Sequence, residues 1–339
     1  MIISRSQIAT LAHRIGLTRI LSALARKPCL IVLCYHRIGI AGQTRHDPDV
    51  YSATPDELYE QVSYLKSTYG IVTLEESIDG FPALVRNRPR VLLTFDDGYL
   101  DNYTTAYPIL RSLGVQGSFF LPTGFLGTNH VPWWDAVCNM IWRTPQRRLR
   151  IPCLTSEVFD KNENGPVAVM RAILRLYRGT NSSDPSQLLA ELSETCQVAP
   201  PVPSPQRRFL NWEEAREMLR GGMAMGSHSH SHALLGGLPL SEQRDEVVGS
   251  RQMMAEQLHV NPRAFALPCG SCSPESRSVL AEAGYEMSFS TEYGVNCVSS
   301  WDPLNVRRIL VNRDDVKEST RLKLALMAGF VPSSTLVTI

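Results

Sequence analysis

Two stretches of this chain carry side chains that could do chemistry together. Thr94-Phe95-Asp96-Asp97-Gly98 sets two carboxylates side by side after an apolar run, and Gly226-Ser227-His228-Ser229-His230-Ser231-His232 sets three imidazoles at alternate positions. An H-x-x-x-H step puts His228 and His232 on one face if the turn between them is helical, so both could reach a single ion while His230 points elsewhere. On extended backbone the side chains of Asp96 and Asp97 diverge, so one can ligate while the other stays free for proton transfer, and Gly98 permits a tight exit. Two unpaired carboxylates at a strand end are costly without a cation. Three ligands and a spare base are what metal-assisted hydrolysis requires. The bland alternatives are a polar Ser/His loop that ligates nothing and an acidic helix N-cap, a job that Asp101 could also do.

These residues need elements to position them. Cys29 to Tyr35 is a short Ile/Val/Leu-rich run that reads as a buried strand delivering His36 at its end. Thr54-Pro55-Asp56-Glu57 is a capping box with proline at the first helical position, predicting a helix to about Ser67. Strands follow over Ile71 to Leu74 and Val91 to Phe95, the second leading straight into the carboxylates. The rhythm continues through helix 101–113, strand 116–121, helix 212–220, strand 223–227, helix 241–258, strand 264–267, helix 274–283 and strand 286–290. Such alternation predicts an α/β fold, a distorted (β/α) barrel of about seven parallel strands. His36, Asp96, Asp97, His228 and Pro268-Cys269-Gly270 then all fall at strand C-terminal ends, where barrel chemistry sits. Between about 130 and 210 the rhythm breaks into a helical, Arg-rich stretch ending in a proline run, which reads as an insertion over the barrel mouth.

Composition narrows the class. At 339 residues and 43% hydrophobic content the chain can bury one large core, and a formal net charge of +1 offers no field to gather nucleic acid, so no nucleic-acid partner is expected. The cluster Arg143, Arg147, Arg148, Arg150 reads as a solvated face, with phosphate or anionic-glycan binding as the sharper alternative. Eight scattered cysteines fit a reducing compartment, and Cys269 with Cys272 lacks the context of a redox pair. No apolar run reaches the roughly 18 residues of a membrane span and no clean signal peptide is seen, so a cytoplasmic location is expected. Residues 1–27 form a separate element: Ile8, Leu11, Ala12, Ile15, Leu21 and Leu24 recur with helical spacing among arginines, predicting an amphipathic helix that packs on the domain or touches a membrane surface peripherally. The barrel would then occupy 28–339. Oligomeric state is not readable from these features.

Taken in order, the motifs resemble the polysaccharide deacetylase family, the NodB-homology domain, and the likeness covers most of the chain. Thr94-Phe95-Asp96-Asp97-Gly98-Tyr99 resembles its first motif, His228-Ser229-x-x-His232 its second and Phe265-Ala266-Leu267-Pro268-Cys269-Gly270 a variant of its third. Cys34-Tyr35-His36-Arg37, Trp133-Trp134-Asp135 and Val306-Arg307-Arg308-Ile309 resemble features of the bacterial exopolysaccharide branch. The resemblance implies a divalent metal, zinc or a similar ion, held by Asp97, His228 and His232, with Asp96 as general base. It implies His36 as general acid, as in a permuted subgroup, because no histidine follows His259. Cys269 stands where a tyrosine is usual, and the backbone N–H there would stabilise the oxyanion, so the side-chain change need not remove the donor. Leu267 also departs from the usual tyrosine, and Arg308 would replace the arginine that orients the base. The implied reaction is removal of N-acetyl groups from an amino-sugar glycan, with Tyr99, Trp133 and Trp134 as stacking surfaces for sugar rings. A catalytically silent carbohydrate-binding relative and a hydrolase of a non-sugar amide on the same scaffold are the alternatives.

Overall fold

The computed structural model describes residues 28–312 apart from 181, 183, 204 and 205. The amphipathic helix expected over residues 4–27 lies outside the described residues. Seven parallel strands close a barrel: β1 (Cys29–Tyr35), β2 (Arg90–Phe95), β3 (Ser118–Leu121), β4 (Ala224–Ser227), β5 (Ala264–Ala266), β6 (Met287–Tyr293) and β7 (Val306–Leu310). They neighbour one another in chain order, and β1 closes the ring by pairing β2 on one side and β7 on the other. The seams differ in strength. β1 and β2 run together from Leu30↔Arg90 to Tyr35↔Phe95, whereas β4 and β5 meet only at Ser227↔Phe265.

Strand pleating sorts the side chains into two sets. Leu30, Val32, Leu92, Phe120, Ala224, Ala264, Ala266, Met287, Phe289 and Val306 pack with one another in one cluster, and Ile31, Leu33, Val91, Leu93, Phe95 and Phe119 pack with the surrounding helices in another. The first set fills the barrel. The same parity carried to the strand ends puts Cys34, Asp96, His228 and Arg308 on the inner side at the mouth. Gly226 is required beside this plug, because a Cβ there would collide with the Phe120 ring and stand 2.9 Å from the Ala264 carbonyl oxygen.

Among the described residues the α-helices longer than four residues are α1 (Pro55–Thr68), α2 (Leu74–Leu84), α3 (Tyr107–Ser112), α4 (Trp133–Arg143), α5 (Pro166–Gly179), α6 (Ser186–Cys196), α7 (Trp212–Arg220), α8 (Leu240–Leu258) and α9 (Pro274–Glu282). The expected strand at Ile71 to Leu74 reduces to one bridge, Ile71 to Val91. Thr73 and Glu76 form a capping box that starts α2 instead, so local capping wins over β propensity. The expected helix 101–113 is broken into a π-helical turn (Asn102–Ala106) followed by α3, where Pro108 has no N–H to give an α-helical ladder. Asp101 caps no helix: its carboxylate accepts from Arg37 Nε and the Ile38 N–H, both at 2.9 Å.

Helices α4, α5 and α6 build a second apolar cluster, including Val137, Ile141, Ile173, Leu174 and Leu192, over Tyr99, Phe125 and Phe209 beside the barrel. Asp135, only 1% exposed, ties this layer down by accepting from the Asp47 N–H at 3.0 Å and Arg208 Nη1 at 3.1 Å. In the expected arginine cluster, Arg147 and Arg148 pair with Asp160 at the surface.

Candidate metal centre and cleft

The first motif ends β2 and breaks out of it at once. Asp97 and Gly98 both take left-handed backbone conformations, with φ of 71° and 63°. A non-glycine residue in that region costs about 1 kcal/mol, and here it re-aims the second carboxylate toward the histidines. The His228–His232 segment is not a helical turn. Ser229 and His232 are also left-handed, φ 64° and 60°, and the chain loops so that the two rings stand 4.8 Å apart and nearly perpendicular. The expected meeting of the two imidazoles holds; the helix expected to produce it does not. His230 points away, its Nδ1 2.9 Å from Thr123 Oγ1.

Asp97 Oδ1 lies 3.3 Å from Nε2 of both His228 and His232, and the three candidate ligand atoms are all within 4.8 Å of one another. Nδ1 of His228 lies 2.7 Å from the Ala266 carbonyl, to which it can only donate. In the neutral ring, Nε2 is therefore a lone pair facing a carboxylate oxygen. Two acceptors in a dry site need a cation or a proton between them. The charge count agrees: Asp96 and Asp97, 2% and 3% exposed, stand beside one fixed cation, Arg308. Burial pushes both carboxyls up, but Arg308 with His228 holds Asp96 below its usual value, and His228 with His232 holds Asp97 well below. Both are ionised at neutral pH. The residues present thus fit a divalent cation.

Arg308 grips Asp96 with a hydrogen bond, Nη1 to Oδ1 at 2.9 Å, and an ion-pair contact, Nη2 to Oδ2 at 2.8 Å, and donates Nε to the Ser290 carbonyl. The Cys34 thiol donates to Asp96 Oδ2 at 3.5 Å, a contact that sequence reading left without a role. His36 follows β1, anchored by its N–H to Ser52 Oγ at 2.9 Å and by its carbonyl accepting from Asn102 Nδ2 at 2.7 Å. Its buried Nδ1 has no hydrogen-bond partner among the described residues, and burial lowers its pKa against the pull of Asp97 and Asp96. Cys269 sits in a tight turn (Pro268–Gly270) at φ 51°, where the Gly270 and Ser271 N–H groups are spent on the Leu267 and Pro268 carbonyls.

These groups open into one cleft of about 790 Å³ lined by Cys34, His36, Asp96, Asp97, His228, His232, Cys269 and Arg308 together with residues of α5 and the loop around Asp47. Of the three aromatics expected to stack on sugar, only Trp134 lines it. Tyr99 is wholly buried, its ring against Phe209 and under Arg37, and its hydroxyl accepts from Trp134 Nε1 at 2.9 Å. Trp133 packs on Tyr177 at 4.6 Å, outside the cleft. Both are packing residues, because the second apolar cluster claims their faces. Trp134 in turn packs on the His232 ring at 4.7 Å, so Tyr99 supports a candidate ligand through one intermediary.

With this geometry established, comparison with known proteins gives it a family. The sequence pattern of polysaccharide deacetylases matches residues 84–288, more than half of the chain. The chain belongs to the polysaccharide deacetylase family. It is 21% identical over 265 residues to the Bacillus subtilis (strain 168) protein YxkH, across 78% of this chain; it spans about 65% of that curated relative's length. Two solved structures share the fold: the Streptococcus pyogenes deacetylase PplD (TM-score 0.57, 19% identity, 88% of this chain and 98% of that one) and IcaB from Ammonifex degensii (TM-score 0.56, 21% identity, 88% and 97%).

Proposed function

We propose that this chain is a metal-dependent hydrolase that removes N-acetyl groups from amino sugars of a poly- or oligosaccharide, leaving acetate and a free amine. The observation that carries the reading is the ionised Asp97 oxygen set 3.3 Å from two imidazole nitrogens, beside an Asp96 held separately by Arg308. Asp97, His228 and His232 would hold the ion, and two nitrogens with one carboxylate suit zinc. Such an ion supplies Lewis-acid polarisation of the acetyl oxygen and makes water acidic near neutral pH.

The chain's own groups do the rest. Asp96 accepts the proton of the attacking water, and Arg308 keeps its carboxylate ionised and fixed until then. His36, whose ring offers a nitrogen within 4.8 Å of an Asp96 carboxylate oxygen, protonates the leaving amine, and the Cys269 N–H donates to the developing oxyanion. A backbone donor survives the change from the usual tyrosine, so the thiol alters packing and not the hydrogen bond. Membership of the deacetylase family supports an N-acetylated glycan as substrate, and PplD was solved in complex with acetate. Acetate release from N-acetylated chito-oligosaccharides, measured before and after chelation and after zinc add-back, tests the reading. Loss on chelation and recovery with zinc are expected; chelator-insensitive release would refute metal dependence, and no release over a broad glycan panel would favour a silent binding relative.

A further inference from the structure

Helix α5 presents Arg171, Arg175 and Arg178 to the cleft, while Val169, Met170, Ile173, Leu174 and Tyr177 on its other side anchor it in the second apolar cluster. The three guanidiniums are thus carried on one rigid face. Two are engaged. Arg171 makes a bidentate pair with Asp49, Nε to Oδ2 at 2.8 Å and Nη2 to Oδ1 at 2.6 Å, and Arg178 stands 3.7 Å from Asp47 Oδ2, beyond direct hydrogen-bond length. Arg175 is exposed and has no hydrogen-bond or ion-pair partner among the described residues. The cleft lining holds four aspartates (Asp47, Asp49, Asp96, Asp97) and four arginines (Arg171, Arg175, Arg178, Arg308). Arg308 is taken by Asp96 and Arg171 by Asp49, and Asp97 faces His228 and His232, which leaves Arg175 without a counter-ion among the described residues and Arg178 loosely held at the mouth.

We propose that the glycan taken by this cleft is anionic: the sugar next to the N-acetylated one carries a carboxylate or phosphate group that Arg175 and Arg178 bind. This rests on the hydrolase reading for the reaction but on the arginine face for the charge. The distance from the chemistry is short, since Arg178 is close enough to act on the Cys269 side chain, in the turn that serves the oxyanion. A planar guanidinium takes carboxylate or phosphate oxygens in pairs, which neutral chitin-like chains cannot offer.

The test is calorimetric binding to the metal-free full chain of three probes: N-acetylglucosamine tetramer, a tetrasaccharide alternating N-acetylglucosamine with glucuronic acid, and an N-acetylglucosamine oligomer bearing a 6-phosphate. At least one anionic probe is expected to bind about tenfold tighter than the neutral tetramer, and which one does identifies the group. Arg175→Glu is expected to abolish that preference and Arg175→Lys to retain part of it. Arg86→Glu, the same charge change at an exposed position outside the cleft lining, is expected to leave it intact. Equal affinity for all three probes, or a preference that survives Arg175→Glu, overturns the proposal. Acetate release from the same probes keeps the two readings apart. An anion preference without release sinks the hydrolase and leaves anion recognition standing, and release from neutral and anionic chains at equal kcat/KM does the reverse.

Discussion

At the scale of single residues, the site is assembled from groups whose ordinary preferences are overridden. Asp97, Ser229 and His232 all take left-handed backbone, and each such residue costs about 1 kcal/mol that surrounding packing must offset. Trp134 is one source of that support, through its ring on His232 and its indole N–H on Tyr99. Trp134→Phe removes the N–H and strands a buried tyrosine hydroxyl, a change worth about 1–3 kcal/mol. With His232 less well held, zinc affinity measured by chelator competition is expected to fall about tenfold to a hundredfold, as for other residues that orient a ligand. An unchanged affinity would remove Trp134 from the support of the site. The grouping at this scale was legible from residue type and spacing: one of the adjacent aspartates and two histidines four apart do converge. The conformation that brings them together was not, because a left-handed Asp or His leaves no mark in a single sequence, whereas glycine at position 98 does.

Helices and loops set the environment of the cleft, and here sequence reading went only part of the way. Strand-helix alternation gave the barrel and its active end, since strand ends are marked by apolar runs. The fate of Ile71 to Leu74 turned on a Thr73–Glu76 capping box of the same kind that was recognised at Thr54 and Glu57. The polar stripe of α5 could be seen as an amphipathic pattern, yet nothing in its spacing says that it faces the mouth; that depends on Asp135 clamping the loop at Asp47 from a distance of 88 residues. Asp47 itself gives a pH-dependent signature. Its carboxyl is buried, and burial pushes its pKa from 3.8 up to about 6. The folded state therefore holds this proton to higher pH than the unfolded chain does, so its stabilising contribution is full below 3.8 and is lost as pH rises through about 6. Asp47→Asn, neutral throughout, is expected to flatten the decline in Tm between about pH 4 and about pH 7, an effect on the order of 2–3 kcal/mol. A slope identical to that of the parent protein would show that Asp47 is not the group responsible. In the barrel wall, Gly226→Ala forces a methyl against Phe120 and the Ala264 carbonyl. Thermal unfolding should show a loss of about 1–3 kcal/mol, or several degrees in Tm. A Tm within a degree of the parent would mean that the wall yields at its thinnest seam.

Over the whole molecule, the barrel delivers Asp96 and Asp97, His228 and His232, and His36 from the ends of three strands to one opening, and the second apolar cluster places a cationic helix above them. Among the described residues no helix is long and apolar enough to cross a membrane. On the proposed reading, the first two motifs stand nearly complete while the third varies because side chains that hold an ion are fixed by its coordination needs, whereas a backbone donor tolerates Cys269. The division of labour between adjacent carboxylates is the centre of this picture, and one paired measurement on Asp96→Asn and Asp97→Ala addresses it. Bound zinc per chain and acetate release are read on the same samples. Asp96→Asn is expected to keep its zinc and lose roughly a hundredfold or more in kcat, while Asp97→Ala loses both. Full turnover in Asp96→Asn, or zinc retained at parental affinity in Asp97→Ala, would contradict the assignment.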